Sequence, residues 1–444
     1  MRTISTAQGF ALANPDRSHH IKVQVYDGSS WINLNSHHGR DWVQEVSYGE
    51  SQDGRAMDAS VVLTLADHSL NLSPLMTGSL INESNTLLAT GNPIRIDAAV
   101  MPMDSTPASG DWMEVFRGEI DAYEMALEKI TLRCRDLSGP PSDAFIEKEK
   151  DYADDALELE EVIQDILDEW PMPDGATYLT LYSVQGTAIA PWNGADSPGW
   201  VVAKGQPQRI EPVYDAIRTL AASIGYELRY TWHENTSQFQ LVMWEPDRAA
   251  AGGVDRSFGA DEYYAIKSVS FNRRNVRNVC QVLYTDSDGN RQVEEDTDAA
   301  SVAAHGRRWC RLAEEASSQI NSSSEAGTLA EACVDDLKDP VVTITVDLPF
   351  FPWAQLQDYY TIEANGAHFD ANQSLALIDV RHRISATEAI TSMTLEGKPA
   401  KSKRAWLGIQ QRNVKRTLDS KVVNTKTSSS NLCPNGDLTQ WDGG

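Results

Sequence analysis

WMEVFRGEIDAYEMALEKITLRCRD, residues 112–136, holds two strand-like runs back to back. In the first, one parity carries Trp112, Glu114 and Phe116; in the second it carries Ile130, Leu132 and Cys134, with Gly118 between the two and charged residues on the other parity. A period of two puts alternate side chains on opposite faces of a pleated strand, so both runs predict half-buried antiparallel strands. No nucleophile stands beside a base, and no ligands fall at metal spacing. The stretch reads as wall.

Upstream, residues 21–34 (IKVQVYDGSSWINL) predict a hairpin: Ile21, Val23 and Val25 alternate, DGSS turns, and Trp31, Ile32 and Leu34 return. Runs at 42–49, 59–65 and 94–100 add three strands. Residues 1–20 are polar and read as an N-terminal arm, and 70–88 as a loop or short helix outside the sheet. Six or seven antiparallel strands within 21–140 predict a first tube-like β-domain, a barrel or sandwich.

Downstream, SGPPS at 138–142 marks a boundary, because two prolines cannot donate to a central strand. Leu159, Val162, Ile163, Ile166, Leu167 and Trp170 then recur at helical spacing, with Asp154 or Asp155 as N-cap and Pro171 as stop. Residues 178–202 are aromatic and loop-like. A second helix opens at Pro212 and closes at Gly225, and a hairpin follows at 226–232 and 238–244. This makes 141–253 a small α+β domain, ending in the linker DRAAAGG at 247–253.

Residues 254–400 predict a second β-domain. Its strands fall at 268–271, 279–284, 341–348, 360–364, 374–384 and 390–395, with a DSDGN turn at 286–290 and a helical insertion at 298–338. Residues 401–444 read as a basic helical linker carrying Trp406, Ile409, Val414 and Leu418. It leads through NTKTSSS into NLCPNGDLTQW (431–441), which looks like the first strand of a jelly-roll module of the kind that carries carbohydrate binding. The fold class is mainly β with an α+β insertion: two tube-like antiparallel β-barrel or sandwich domains flank a small α+β domain.

At 444 residues the chain is too long for one core and suggests three or four domains of about 100–150 residues. There is no apolar run of membrane-spanning length and no signal-peptide pattern at the start, which predicts synthesis and folding in a cytoplasm. The formal net charge of −26 argues against a basic nucleic-acid-binding surface. Residues 398–426 hold nine Lys or Arg against the single acid Asp419, a local +8 that leaves −34 on the rest. An acidic lining would repel phosphates and let DNA slide; ordinary solubility is the plainer use of such charge.

Five cysteines, Cys134, Cys280, Cys310, Cys333 and Cys433, are scattered and never form C-x-x-C, so buried thiols are expected, with neither disulfides nor a zinc ribbon. His19-His20 and His37-His38 are adjacent pairs, and neighbours on a strand face opposite ways, which disfavours shared metal ligation. Asp151, Asp154, Asp155, Glu158, Glu160 and Glu161 lack the calcium-loop spacing and read as a solvated helix face. No H-E-x-x-H, G-x-S-x-G, Walker A or dinucleotide-binding glycine pattern is present. No catalytic, cofactor-binding or metal residue is assigned, and no enzyme activity is expected. Of twelve tryptophans most sit at packing positions; Trp192, Trp200 and Trp353 lie in loops and are the candidates for contacts.

W-x-x-V-F-x-G-x-I-D followed by I-T-L-x-C-R-D and a short acidic helix resembles the hub proteins at the distal end of phage tails, the baseplate and tail-tip hubs whose β-domains continue the tail tube. Residues 301–337 and Asp358-Tyr-Tyr are similar to the hub pattern S-x-x-x-Y-G-R, I-x-T-x-x-E-A-x-x-L-A, P, G-D, with His305 where Tyr is usual and Asn321-Ser-Ser in place of the threonine turn. The order of elements agrees over about 21–400. The resemblance implies a homotrimer in the virion, assembled in the host cytoplasm, that closes the distal DNA channel. It also implies a distal tail protein ring and tail tube above, the tape measure protein inside, and tail fibres or receptor-binding proteins beyond. DNA would pass without specific binding. The alternative is a carbohydrate-binding or cell-wall-degrading tail protein that reaches a host-surface glycan through a C-terminal module.

Overall fold

The computed structural model describes residues 16–51, 57–64, 87–126, 129–144, 163, 166–167, 181–183, 212–223, 227–233, 238–244, 254–259, 262–274, 276–286, 288–312, 322–356, 358–363 and 372–397. Its strands run β1 (Arg17–Tyr26), β2 (Trp31–Asn33), β3 (Val43–Ser51), β4 (Asp58–Thr64), β5 (Pro93–Pro102), β6 (Met113–Met125) and β7 (Lys129–Asp136), then helix α1 (Gly139–Asp143). There follow β8 (Leu181–Ser183), α2 (Val213–Ser223), β9 (Glu227–His233), β10 (Gln238–Trp244), β11 (Arg256–Phe258), β12 (Ala265–Asn272), β13 (Val279–Thr285) and β14 (Arg291–Thr297). The chain continues through α3 (Ala299–His305), β15 (Trp309–Leu312), α4 (Ser323–Leu337), β16 (Val341–Pro349), β17 (Tyr359–Ile362), β18 (Gln373–Ser385) and β19 (Ala389–Glu396). Two units result: residues 1–272 with 341–399, and residues 273–340 with 400–444.

In the first unit the mainly-β class is plain, and both β-halves belong to one 13-stranded sheet in the order β12-β16-β19-β18-β3-β4-β7-β6-β5-β1-β2, with β17 on β18 and β11 on β17. The two expected tube-like domains are thus joined edge to edge by the antiparallel pair β3–β18, from Asp379 opposite Ser51 to Ser385 opposite Glu45. The long strand β18 serves two partners on one edge: its first residues pair with β17 and its last seven with β3. Of the arm expected at 1–20, Arg17–His20 belong to β1 and pair with β5, and residues 1–15 lie outside the described residues.

The parity read for residues 112–116 is corrected. Met113 and Val115 are buried, Trp112 and Glu114 only half so, and the inward set then becomes Phe116, Gly118 and Ile120. Opposite β5 the register jumps from Ile96–Phe116 to Asp97–Glu114, so Val115 is the extra residue of a β-bulge, which flips the parity of the strand. Trp112 instead lies under the Lys22 ammonium, 4.5 Å from the ring centre. In β7 the predicted parity holds: Ile130, Leu132 and Cys134 are all buried.

The predicted helix and hairpin of the α+β part are α2 with β9 and β10, but the segment read as an aromatic loop contains β8, which pairs parallel to β10. Tyr214 and Ile217 of α2, with Leu228, Tyr230 and Leu241, join the same buried cluster as the large sheet. Ile163, Ile166 and Leu167 are helical and buried there too. The rest of 145–180, the loop tryptophans 192 and 200, the linker 247–253, most of 70–88, and the basic segment with the module start at 398–444 lie outside the described residues.

The insertion expected to be helical over 298–338 begins at 273 and carries its own sheet, β14-β13-β15, with α3 and α4. β14 (RQVEEDT) escaped the pattern search because its single apolar residue, Val293, is 48% exposed; β15 is only four residues long. The DSDGN turn forms as predicted: Asp286 accepts the Asp288 and Asn290 amides, and Gly289 takes the left-handed φ of +82°.

Candidate functional site

The motif residues of the second unit meet at Asn278, which is fully buried. Its Nδ2 donates to Ser301 Oγ (3.2 Å) and to the Gly306 carbonyl (2.8 Å), while its Oδ1 accepts the Arg308 amide (2.8 Å). Ser301 in turn donates to the Lys338 carbonyl, and its amide is capped by Asp298 at 2.7 Å. Gly306 ends α3 at φ +74°, where a side chain would be strained. The S-x-x-x-H-G-R motif is therefore a clamp tying β13, α3 and β15 together.

In the first unit an open trough of about 560 Å³ crosses the outer face of the β3–β18 seam. Among its lining residues four acids, Asp58, Asp121, Asp347 and Glu388, face five bases, Arg133, Arg135, Lys267, Arg381 and Arg383. The charges neutralise one another: Lys267 on Asp347 at 2.7 Å, Arg135 on Asp143 at 2.6 Å and on Glu119 and Asp121 at 3.2 Å, and Arg383 on Glu45 at 2.9 Å. Behind the trough, Tyr48 of β3 stacks on His382 of β18 with ring centres 4.5 Å apart. Thr391 Oγ1 bridges His382 Nδ1 and the Phe351 amide, both at 2.8 Å. These partnerships hold the strands together behind the trough.

Three displaced titrations have structural causes. Burial pushes Asp136 up to about 7 against the pull of Ser138 and of the Met57 amide, which donates at 2.6 Å; the carboxyl pins the start of β4 to the end of β7. Burial raises Asp358 to about 6, where it accepts Tyr360 Oη (2.7 Å) and the Gln355 amide (2.8 Å). His19 is lowered to about 4, mainly by burial and then by Arg17 and His20.

His19 and His20 do face opposite ways: His19 packs edge-on against Phe350 at 5.7 Å, and His20 Nε2 lies 3.1 Å from the Ser105 carbonyl. His37 and His38 are in a short 3-10 turn, not a strand. Trp353, read as a loop contact, is fully buried against Phe351 and is corrected to a core residue. What sequence spacing missed is the meeting of Cys280, Cys310 and Cys333, whose sulfurs lie within 4.8 Å of one another. No spacing rule covers residues that converge from two strands and a helix.

No protein-family model matches the chain, and no curated protein matches it in sequence. Solved structures do. A tail protein from Neisseria meningitidis MC58 is 12% identical, with 87% of this chain and 99% of that one covered at a TM-score of 0.55. The 43 kDa tail protein of prophage MuSo2 from Shewanella oneidensis is 12% identical, with 86% and 99% covered at 0.56. The chain has the fold of these phage tail proteins. Among the described residues no helix is long and apolar enough to cross a membrane.

Proposed function

We propose that the chain is a structural, non-enzymatic hub of a phage tail tip or baseplate, whose copies form a trimeric ring that continues the tail tube. The observation that carries this reading is the edge strand β12. Val269 and Phe271 stand opposite Ile344 and Val342, on the core-facing side of the sheet, yet are 39% and 71% exposed. Among the described residues β12 pairs with β16 alone. A long edge with uncovered apolar side chains is an invitation to pairing, and a second copy of this chain is the occupant that closes a ring by head-to-tail contacts. Such a ring lets DNA pass without specific binding. It places a distal tail ring and tail tube on one side, and fibres or receptor-binding proteins on the other.

The carbohydrate-binding alternative loses Trp353, which is core; its remaining support lies at 192, 200 and 431–441, outside the described residues. Mass photometry of the full chain tests the hub reading. A species of three times the 49.0 kDa chain mass, reduced to monomer by Phe271→Lys with unchanged circular dichroism, is the expected result. A monomer at every concentration, or an oligomer indifferent to Phe271→Lys, overturns it.

A further inference from the structure

Cys280 and Cys310 are directly opposed in the parallel register of β13 and β15, so their side chains leave the same face of that small sheet. Cys333 comes from α4, whose residues share one buried cluster with that face. All three are fully buried, and their sulfurs fall within 4.8 Å of one another. We propose that this triad binds one soft, thiophilic metal ion of low coordination number, with the cuprous ion as its natural occupant. The inference does not depend on the hub reading.

Size comes first. A trigonal ion with metal–sulfur bonds of about 2.3 Å sets its sulfurs about 4.0 Å apart, inside the observed envelope, so the strands need not move. Ligand chemistry comes second. Structural zinc sites take four ligands and open ones keep a water in the fourth place. Here no further His, Cys, Asp or Glu joins the three among the described residues, and their burial keeps water from the sulfurs. Ala326, Ala330 and Val334 complete an apolar surround that offers nothing to a cation requiring oxygen ligands. Sulfur-only coordination selects cuprous ion.

Binding releases the thiol protons to solvent, because the thiolate is the ligating form, and the monovalent ion offsets one of the three negative charges so created. The bound ion would cross-link β13, β15 and α4, a useful staple for a unit whose core is small.

The ordinary alternative is three thiols packed as small apolar groups. The test uses the full chain, reduced and anaerobic, titrated with cuprous ion against a chromogenic cuprous chelator. One copper retained per chain is expected, with at least tenfold weaker retention in Cys310→Ala and in Cys333→Ala and no change in Cys134→Ala or Cys433→Ser. X-ray absorption on the loaded wild type needs no variant and should show a first shell of sulfur alone at about 2.3 Å. Copper surrendered completely to the chelator, a nitrogen or oxygen first shell, or retention unaffected by loss of Cys310 and Cys333 overturns the proposal.

Discussion

A Cβ placed on Gly118 would stand 2.1 Å from the carbonyl oxygen of Arg135, closer than any side chain can approach. Gly118 is where β6 is paired on both edges at once, to Ile94 of β5 and to Asp136 of β7. Gly118→Ala must push two ladder strands apart, and a loss of roughly 3 kcal/mol or more is expected, read as a lower urea midpoint. Gly327 in α4 is the counter-case, with nothing within 4 Å of an added Cβ. There Gly→Ala should stabilise by about 0.5–1 kcal/mol through helix propensity.

Thr391 is fully buried, and its one hydroxyl serves both the Phe351 amide and His382. Thr391→Val keeps the shape and removes this hydroxyl from both. The expected cost is about 1–3 kcal/mol by chemical denaturation, because the buried Phe351 amide and His382 each lose that hydrogen bond. By contrast Arg383→Ala, which breaks the Glu45 pair across the same seam, should cost under about 1 kcal/mol, since the arginine side chain is 58% exposed.

His19 is held neutral in the fold with its pKa near 4, below the ordinary 6.5. Between those values the unfolded chain takes up a proton that the native state refuses. Stability from this residue is therefore complete above pH 6.5 and is lost as the pH falls toward 4. Asp136 and Asp358, raised to about 7 and about 6, act in the opposite direction over the same range, so the His19 share is read as a difference. His19→Phe, which keeps a ring against Phe350, should unfold less readily than wild type at pH 4.5 relative to pH 7. Parallel urea curves at the two pH values would refute the assignment.

Asn278→Ala removes partners from the Arg308 amide and the Gly306 carbonyl together. A local loss of roughly 2–4 kcal/mol is expected. Limited proteolysis should then cut first within 273–340, and cleavage elsewhere at unchanged rate would show that the clamp is dispensable.

How much of this was legible in the sequence depended on whether a residue's neighbour in space was also its neighbour in the chain. The β9–β10 hairpin, the DSDGN turn and the alternation of Ile130, Leu132 and Cys134 are local patterns, and they form as read. The parity of 112–116 failed because a bulge at Val115 depends on the partner strand. β14 failed because an edge strand with one exposed apolar residue has no hydrophobic period to detect. Trp353 looked like a loop aromatic because loop and surface were equated, whereas it is packed inside. The cysteine triad and the seam pair residues separated by tens to hundreds of positions, beyond any window.

The pairing of β18 with β3 has a consequence for how the chain can be divided. Severing the peptide between residues 250 and 254 would leave one fragment ending its sheet on a bare β3 and the other on a bare β18. Each would expose a complementary row of amides and carbonyls, so two separately made pieces should reunite into the intact sheet. The β3–β18 ladder then holds the halves together independently of the peptide that joins them.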